Sequence, residues 1–563
     1  MSHDLPALTL RHVLEVTADK YPDAPAVSWV GGEPLTYSEF RDSAEAVAVL
    51  LSERGIGFGD SVAILAENCP HWGVAYFAIT CMGAVAVPIL PEFHPEAIRY
   101  IIRHSDAKAV FVTEKMFPKV EDADFDPLPT FINLETFQVL EQGITRDMVK
   151  ELKAASFREY RKLRDRTLRM AQMLPQEPAE DDVAVIIYTS GTMGYSKGVV
   201  LTHKNIVFDA VGVREFVSLS PNDRLLSLLP LPHTYECTLG LVLPVLNGSH
   251  IYYLDRPPTA RALLPALEKV QPTALLCVPL IIEKIFRNAI LPKFTSSKFR
   301  HTLYKISAIR KFLHGLASKR LHTTFGGQLR IMAIGGAPLA PVVERFLREG
   351  KFPYVIGYGL TEGAPLCTGS QVDTTRFTSS GFALPGITLR IDNPDDNGEG
   401  ELLVMGPNVM REYYKSPQDT AEAFTEDGWL RTGDLARIDE DGYVFIKGRL
   451  KNLILGPSGE NIYPEEIETI INQMDYVAES LVVQHEGKLV ARIHLESEKL
   501  DALFAGLSDE DRREKELALL ENIRTVANSK VSSFIRIHKA VLQPEPFEKT
   551  PTQKIKRYLY LSI

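Results

Sequence analysis

From residue 40 to about residue 115 the chain alternates segments of helical period with short strand-like runs. Ala44, Val47, Ala48 and Leu51 recur at helical spacing, and GDSVAILAEN then reads as a short strand ending in a polar turn. The helix-like AYFAITCMGA, the strand-like AVAVPIL, a helix over 96–104 and the strand AKAVFV follow. Such alternation predicts βαβ units, a mainly parallel sheet and helices on both its faces. It resumes near Val183–Tyr188 and runs past residue 360. Beyond residue 380 the texture changes to short strands parted by Gly, Asp and Pro turns, as a small antiparallel β unit requires. The last hundred or so residues change again: a helix EEIETIINQM, two strands around a Glu-Gly turn, a charged helix entered at Ser508 with Asp511 as its cap partner, and the strand IRIHKAVL. The expected fold is therefore α/β. A large N-terminal domain over 1–447 contains mainly parallel sheets and a β unit at about 380–447, and a small α+β C-terminal domain covers 448–563.

At 563 residues the chain exceeds what a single core holds, and 45% apolar with 24% charged residues is ordinary globular composition. No apolar run reaches the roughly 20 residues that span a bilayer, and the acidic start MSHDLPALTL does not read as a secretory signal. The five cysteines, Cys69, Cys81, Cys237, Cys277 and Cys367, are scattered without a CxxC pair. They predict a reducing cytoplasm. The net charge of −10 argues against non-specific nucleic-acid binding. One stretch departs from that average. Residues 284–330 carry eleven Lys and Arg and no Asp or Glu, so the remainder of the chain carries −21. Phe157–Met170 is a smaller basic run.

The most informative chemistry lies in Val185–His203, VIIYTSGTMGYSKGVVLTH. An apolar strand feeds Thr189, Ser190, Gly191 and Thr192, then Gly194 and Lys197, then a second apolar segment. Glycines let backbone N–H groups approach an anion, and hydroxyls with a lysine complete a phosphate cradle. The Walker A spacing is absent. The loop resembles the phosphate-binding loop of the adenylate-forming superfamily: acyl- and aryl-CoA synthetases, luciferases and the adenylation domains of peptide synthetases. It departs from the usual form at Met193, where Thr is common, and at Ser196, where Pro is common.

Five further segments match that superfamily in order, so the resemblance covers almost the whole chain. IGGAP at 334–338 (with Gly335, Gly336 and Ala337) is similar to the turn against adenine. GYGLTE at 357–362 is similar to the segment in which Tyr358, between Gly357 and Gly359, packs on adenine, Thr361 reaches phosphate and Glu362 holds Mg2+. In WLRTGDL at 429–435 the resemblance makes Asp434 the acceptor of the ribose hydroxyls. In GRLK at 448–451 it gives Arg449 a ribose or phosphate contact and Lys451 the hinge position. In TPTQKIKR at 550–557 it makes Lys554 the catalytic lysine, with Gln553 where Gly is common. Taken singly, each match is weak. Six in one order are not.

The resemblance implies ATP, Mg2+ and coenzyme A: an acyl-adenylate forms first, and a thiol then displaces AMP. LPLPHTYECTLG at 229–240 is similar to the acyl-binding segment, with His233 and Glu236 typical of fatty-acyl members and apolar flanks suited to a hydrocarbon chain. No Asp lies between Leu225 and Leu246, which disfavours an amino-acid substrate. CVPLIIEKIF at 277–286 and LGPSGENI at 455–462, which contains Gly459 and Asn461, resemble long-chain synthetases. A medium- to long-chain fatty acid is the favoured substrate. The rivals are an aryl acid, a carrier-protein thiol as acceptor, and a non-catalytic nucleotide- or acyl-binding protein. In the basic stretch Leu303, Ile306, Ile309, Leu313 and Leu316 recur at helical spacing. That pattern suits either a helix lying on an anionic membrane, on the inner face of the cell envelope, or a solvated face packed on the domain. Oligomeric state is open at this level.

Overall fold

Apolar strands flanked by helices of mixed polarity assemble, in a computed structural model, around two large sheets. The structure describes residues 5–140, 177–189, 197–455, 461–531, 535–550 and 554–561. Among these, one seven-stranded sheet has the order Tyr354–Ile356, Ile331–Ile334, Ala274–Cys277, Arg224–Leu226, His250–Tyr253, Pro25–Trp29, Leu35–Thr36. Its neighbours run parallel except for the last pair. The second has the order Glu412–Tyr413, Lys197–Thr202, Val183–Thr189, Val85–Ile89, Ser61–Leu65, Ala109–Val112, Thr130–Asn133. It is parallel from Val183–Thr189 onward, and its first two joins are antiparallel. The expected α/β architecture with mainly parallel sheets is what forms.

The main apolar core draws on both sheets and on helices Tyr37–Glu53 and Pro70–Cys81. The latter is apolar on every side, and Trp72, Tyr76 and Phe77 are fully buried; a helix without a polar face belongs inside. Four antiparallel strands, Thr388–Asp392, Gly400–Met405, Leu430–Ile438 and Val444–Arg449, form the β unit expected beyond residue 380. Gly448 and Arg449 are the last rungs of that sheet, opposite Leu435 and Asp434. After them the short turn of helix Leu450–Asn452 contains Lys451. From Ile454 onward the chain fills a separate apolar cluster drawn from residues 454–540. There Val477–His485, Lys488–Leu495 and Ile537–Leu542 make a three-stranded sheet, and Ser508 caps helix Asp509–Asn528 by accepting the Asp511 N–H at 3.2 Å.

The basic stretch differs from its sequence pattern. Its stripe residues fall on two helices, Lys298–Tyr304 and Ser307–Thr324, instead of one. Arg310 on the second turns inward to Glu349 at 2.8 Å. Phe157–Met170 lies outside the described residues. Among the described residues no helix is long and apolar enough to cross a membrane.

Candidate active site

Four adjacent parallel strands of the first sheet, ending at Leu226, Cys277, Ile334 and Ile356, deliver their loops to one edge. That is where ligands settle in open α/β sheets. The strand register Ile334↔Ile356 brings Gly335 and Gly357 out side by side. The Gly335 N–H donates to the Cys277 carbonyl at 3.1 Å and the Gly357 N–H to the Ile334 carbonyl at 3.0 Å. Gly336 takes φ 84°, a left-handed turn that suits glycine, and leaves Ala337 exposed. At Gly359 a Cβ would sit 1.8 Å from the Pro365 carbonyl oxygen, so no side chain fits.

Beyond this turn Thr361 and Glu362 open a single turn of 3-10 helix. The Tyr413 hydroxyl donates to Glu362 Oε1 at 2.7 Å and fixes the carboxylate. Tyr413 has a second role. The Lys197 ammonium lies 5.1 Å from its ring centroid and also donates to Asp419 Oδ1 at 2.5 Å. Lys197 pairs with Thr189 across the hairpin whose loop is the phosphate-cradle motif. Ser190, Gly191, Thr192 and Gly194 lie outside the described residues. A hard carboxylate with one oxygen held by a hydroxyl fits Mg2+, which takes few protein ligands and draws the rest from phosphate and water.

Asp434 is almost fully buried, yet it is well partnered. Arg449 Nε donates to Oδ1 at 2.8 Å and the Tyr358 hydroxyl donates to Oδ2 at 2.6 Å. Burial raises its pKa from the usual value, and Arg449, Tyr358 and Lys554 pull it back down. The same pair raises the Tyr358 hydroxyl, through burial first and then the Asp434 charge. Lys554 enters from the C-terminal unit. Its backbone is pinned to Thr550, whose N–H donates to the Lys554 carbonyl at 2.7 Å. The side chain as a whole is exposed to the cleft, but its ammonium is crowded. Desolvation and the Arg449 cation lower its pKa, opposed by Asp434 and Glu362.

The same ammonium bears on the acyl side. Burial, with Lys554 adding to it, lowers His233 to about 4, so its imidazole is neutral at physiological pH. His233 caps a short helical turn, Thr234–Glu236, that runs into one π-helical turn, Cys237–Val242. Glu236 is buried, and burial raises it to about 8 against hydrogen bonds from Ser227 and the Leu229 backbone. Its Oε1 accepts from the Ser227 hydroxyl at 2.6 Å, and Ser227 accepts from Asn68 Nδ2 at 2.9 Å. Its Oε2 has no hydrogen-bond partner among the described residues. Gly240 makes the room: a Cβ there would lie 2.7 Å from the Glu236 carboxyl carbon. The flanking leucines and valines, among them Leu239, Leu241, Val242 and Leu243, pack into the main core and do not face an open groove.

The fold thus brings the Lys554 ammonium near His233, Glu362, Asp434 and Arg449, sets Gly335, Gly336 and Ala337 beside Gly357, Tyr358 and Gly359 at the ends of neighbouring strands, and places Thr361 next to Glu362. Asn461 lies in the strand Asn461–Ile462, which pairs with Ile454–Leu455 in the C-terminal unit. Tyr413, Asp419, Asn68 and Ser227 had no signal in the sequence, since none sits in a recognisable motif. A cavity of about 570 Å³ between Lys488, Arg524 and Arg536 contains none of these residues.

With that geometry in place, the AMP-binding enzyme family matches residues 14–414. The chain belongs to this family, the adenylate-forming ligases. The long-chain-fatty-acid–CoA ligase heimdall of Drosophila melanogaster is 27% identical over 93% of this chain and 83% of its own length. Long-chain-fatty-acid–CoA ligase 1 of Cavia porcellus is 29% identical, covering 95% of this chain and 81% of its own. The crystal structure of ATP-bound MatB from Rhodopseudomonas palustris shares the fold, with a TM-score of 0.74 over 98% of both chains at 22% identity.

Proposed function

We propose that this protein uses ATP and Mg2+ to convert a medium- to long-chain fatty acid into an acyl-adenylate and then transfers the acyl group to coenzyme A. The observation that carries this reading is the convergence on one lysine: the charge of Lys554 bears on Asp434 from one side and on His233 from the other. A cation at that junction offsets charge where a carboxylate meets the α-phosphate of ATP. Asp434, held by Arg449 and Tyr358, would offer oxygens to the ribose hydroxyls. Thr361 and the 189–197 hairpin would hold phosphate. Mg2+ on Glu362 would supply charge neutralisation to the phosphates.

On the acyl side the chain avoids negative charge. His233 is neutral, and Glu236 is held protonated near pH 7 by burial, so an incoming carboxylate meets no like charge there. The fatty-acyl reading draws further support from the relatives' names and the two long-chain-like segments. For the second half-reaction, residues 448–563 would turn as a unit about Lys451, which sits in the short link between the β unit and the C-terminal core. Hinges of this kind lie at element ends.

The test is pyrophosphate release scanned over a series of carboxylic acids, with coenzyme A and a carrier-protein pantetheine compared as acceptors. Release should be greatest for medium- to long-chain acids, and coenzyme A should be the better thiol. A maximum at aromatic acids would replace the fatty-acyl assignment.

A further inference from the structure

We propose that the outer face of residues 298–320 docks the protein on an anionic lipid surface. The inference deepens the fatty-acid reading, because it says where the enzyme meets a substrate that partitions into membranes.

The inner face of helix Ser307–Thr324 is fully occupied. His314, Ser318 and Leu321 are buried, and the His314 ring meets Phe346 edge-on at 5.3 Å. His314 also bonds the Tyr304 hydroxyl at 2.7 Å, tying the two basic helices together. Arg310 is neutralised by Glu349, also on this inner side. The outer face is different. Phe299 is 73% exposed, Ile306 49%, Phe312 66% and Leu316 55%. Phe312 and Leu316 are one turn apart, and Lys319, seven residues beyond Phe312, falls on nearly the same line of the helix. Around these apolar side chains stand Lys298, Arg300, Lys305, Lys311, Lys319 and Arg320, all exposed.

Charge decides the occupant. The stretch 284–330 holds no acid at all, in a chain that carries −21 elsewhere. A face that only needed to stay in water would not set two phenylalanines among its cations. A lipid interface uses both: cations meet anionic headgroups, and the apolar side chains enter the boundary with the acyl chains. A polyanion without apolar surface would use the cations but leave Phe299, Phe312, Ile306 and Leu316 in water.

The experiment is flotation of the full chain with vesicles of phosphatidylcholine alone or of phosphatidylcholine mixed with phosphatidylglycerol. Binding is expected only to the anionic vesicles and should weaken as salt is raised. Lys311→Glu with Lys319→Glu should lower partitioning by roughly 100-fold or more, since each cation near an anionic surface contributes severalfold. Phe312→Ser with Leu316→Ser should lower it about tenfold or more. With a water-soluble short acid, both pairs should release pyrophosphate from ATP at the wild-type rate, because none of the four residues belongs to the candidate site. Equal flotation on both vesicle types, indifference to the charge reversal, or no flotation at all would overturn the proposal. Self-association abolished by Phe312→Ser, without flotation, would give the face to a second copy instead. A protein that floats as expected yet releases pyrophosphate with no acid would refute the enzymatic reading and leave the docking surface standing.

Discussion

Two buried carboxylates are held in opposite ways, one in a charged wall of side chains and one in a neutral wall. Asp434 has a guanidinium on one oxygen and a phenol on the other. Glu236 has a serine hydroxyl on one oxygen and, among the described residues, no hydrogen-bond partner on the second. Burial pushes both upward, Glu236 to about 8, while at Asp434 the Arg449 cation, the Tyr358 hydroxyl and Lys554 pull the other way. The difference teaches that burial alone does not set ionisation; a partner of opposite charge works against it. Lys554 bears on Asp434 in the charged wall and on His233, three residues before Glu236 in the neutral one.

The largest effect is expected at that bridge. Lys554→Ala should slow adenylate formation by about 100- to 1,000-fold, the scale of losing one charge-stabilising group, while supplied acyl-adenylate still passes its acyl group to coenzyme A. Pyrophosphate exchange and thioester assays separate the two steps, and an unchanged exchange rate would remove Lys554 from the first. Next comes the charged wall. Asp434→Asn leaves Arg449 without its anion, and should raise the KM for ATP about tenfold and lower stability by about 1–3 kcal/mol, as losing a buried charged acceptor does. Melting curves and an ATP titration check this.

The neutral wall is tested by pH. The folded pKa of Glu236, about 8, lies above its ordinary value of 4.5, so the folded state holds a proton that the unfolded chain has lost. The stability this gives is complete below about pH 4.5 and is lost as pH rises toward about 8, at about 1.4 kcal/mol per pH unit at most. Glu236→Gln cannot titrate, so its melting temperature should gain on the wild type steadily across that window. Parallel curves for the two proteins would mean that Glu236 is ionised after all, and the contrast between the walls would collapse. The smallest effect is expected at Asp419. It pairs with Lys197 in a half-exposed setting, where an ion pair contributes about 0–1 kcal/mol. Asp419→Asn should leave stability almost unchanged and, by freeing the ammonium for phosphate, lower the KM for ATP about two- to threefold. A rise instead would make Asp419 the residue that aims Lys197.

Much of this was legible in the residues. The alternation of helical and strand periods gave the parallel sheets, because side-chain periodicity is a local property that each element carries in its own sequence. Gly359 was legible for the same reason: a turn that forbids a Cβ leaves its mark at that position. The basic stretch was legible as charge but not as shape. Of its apolar stripe in sequence, Leu303, Ile309 and Leu313 are partly covered while Ile306 and Leu316 face water, joined there by Phe299 and Phe312 from outside the stripe. The apolar run around Glu236 was legible as apolar, and most of its residues are buried in the main core.

The sequence by itself determined which chemical groups the chain possesses and in what order: the cradle, the adenine turn, Glu362, Asp434 and Lys554. Only the tertiary structure decided how each group is set. Tyr413 reaches Glu362 and Lys197 from far along the chain, Arg449 lies opposite Asp434 by strand register, and burial pushes Glu236 up to about 8. Charge, burial and hydrogen bonding act through space, over distances that sequence separation does not measure.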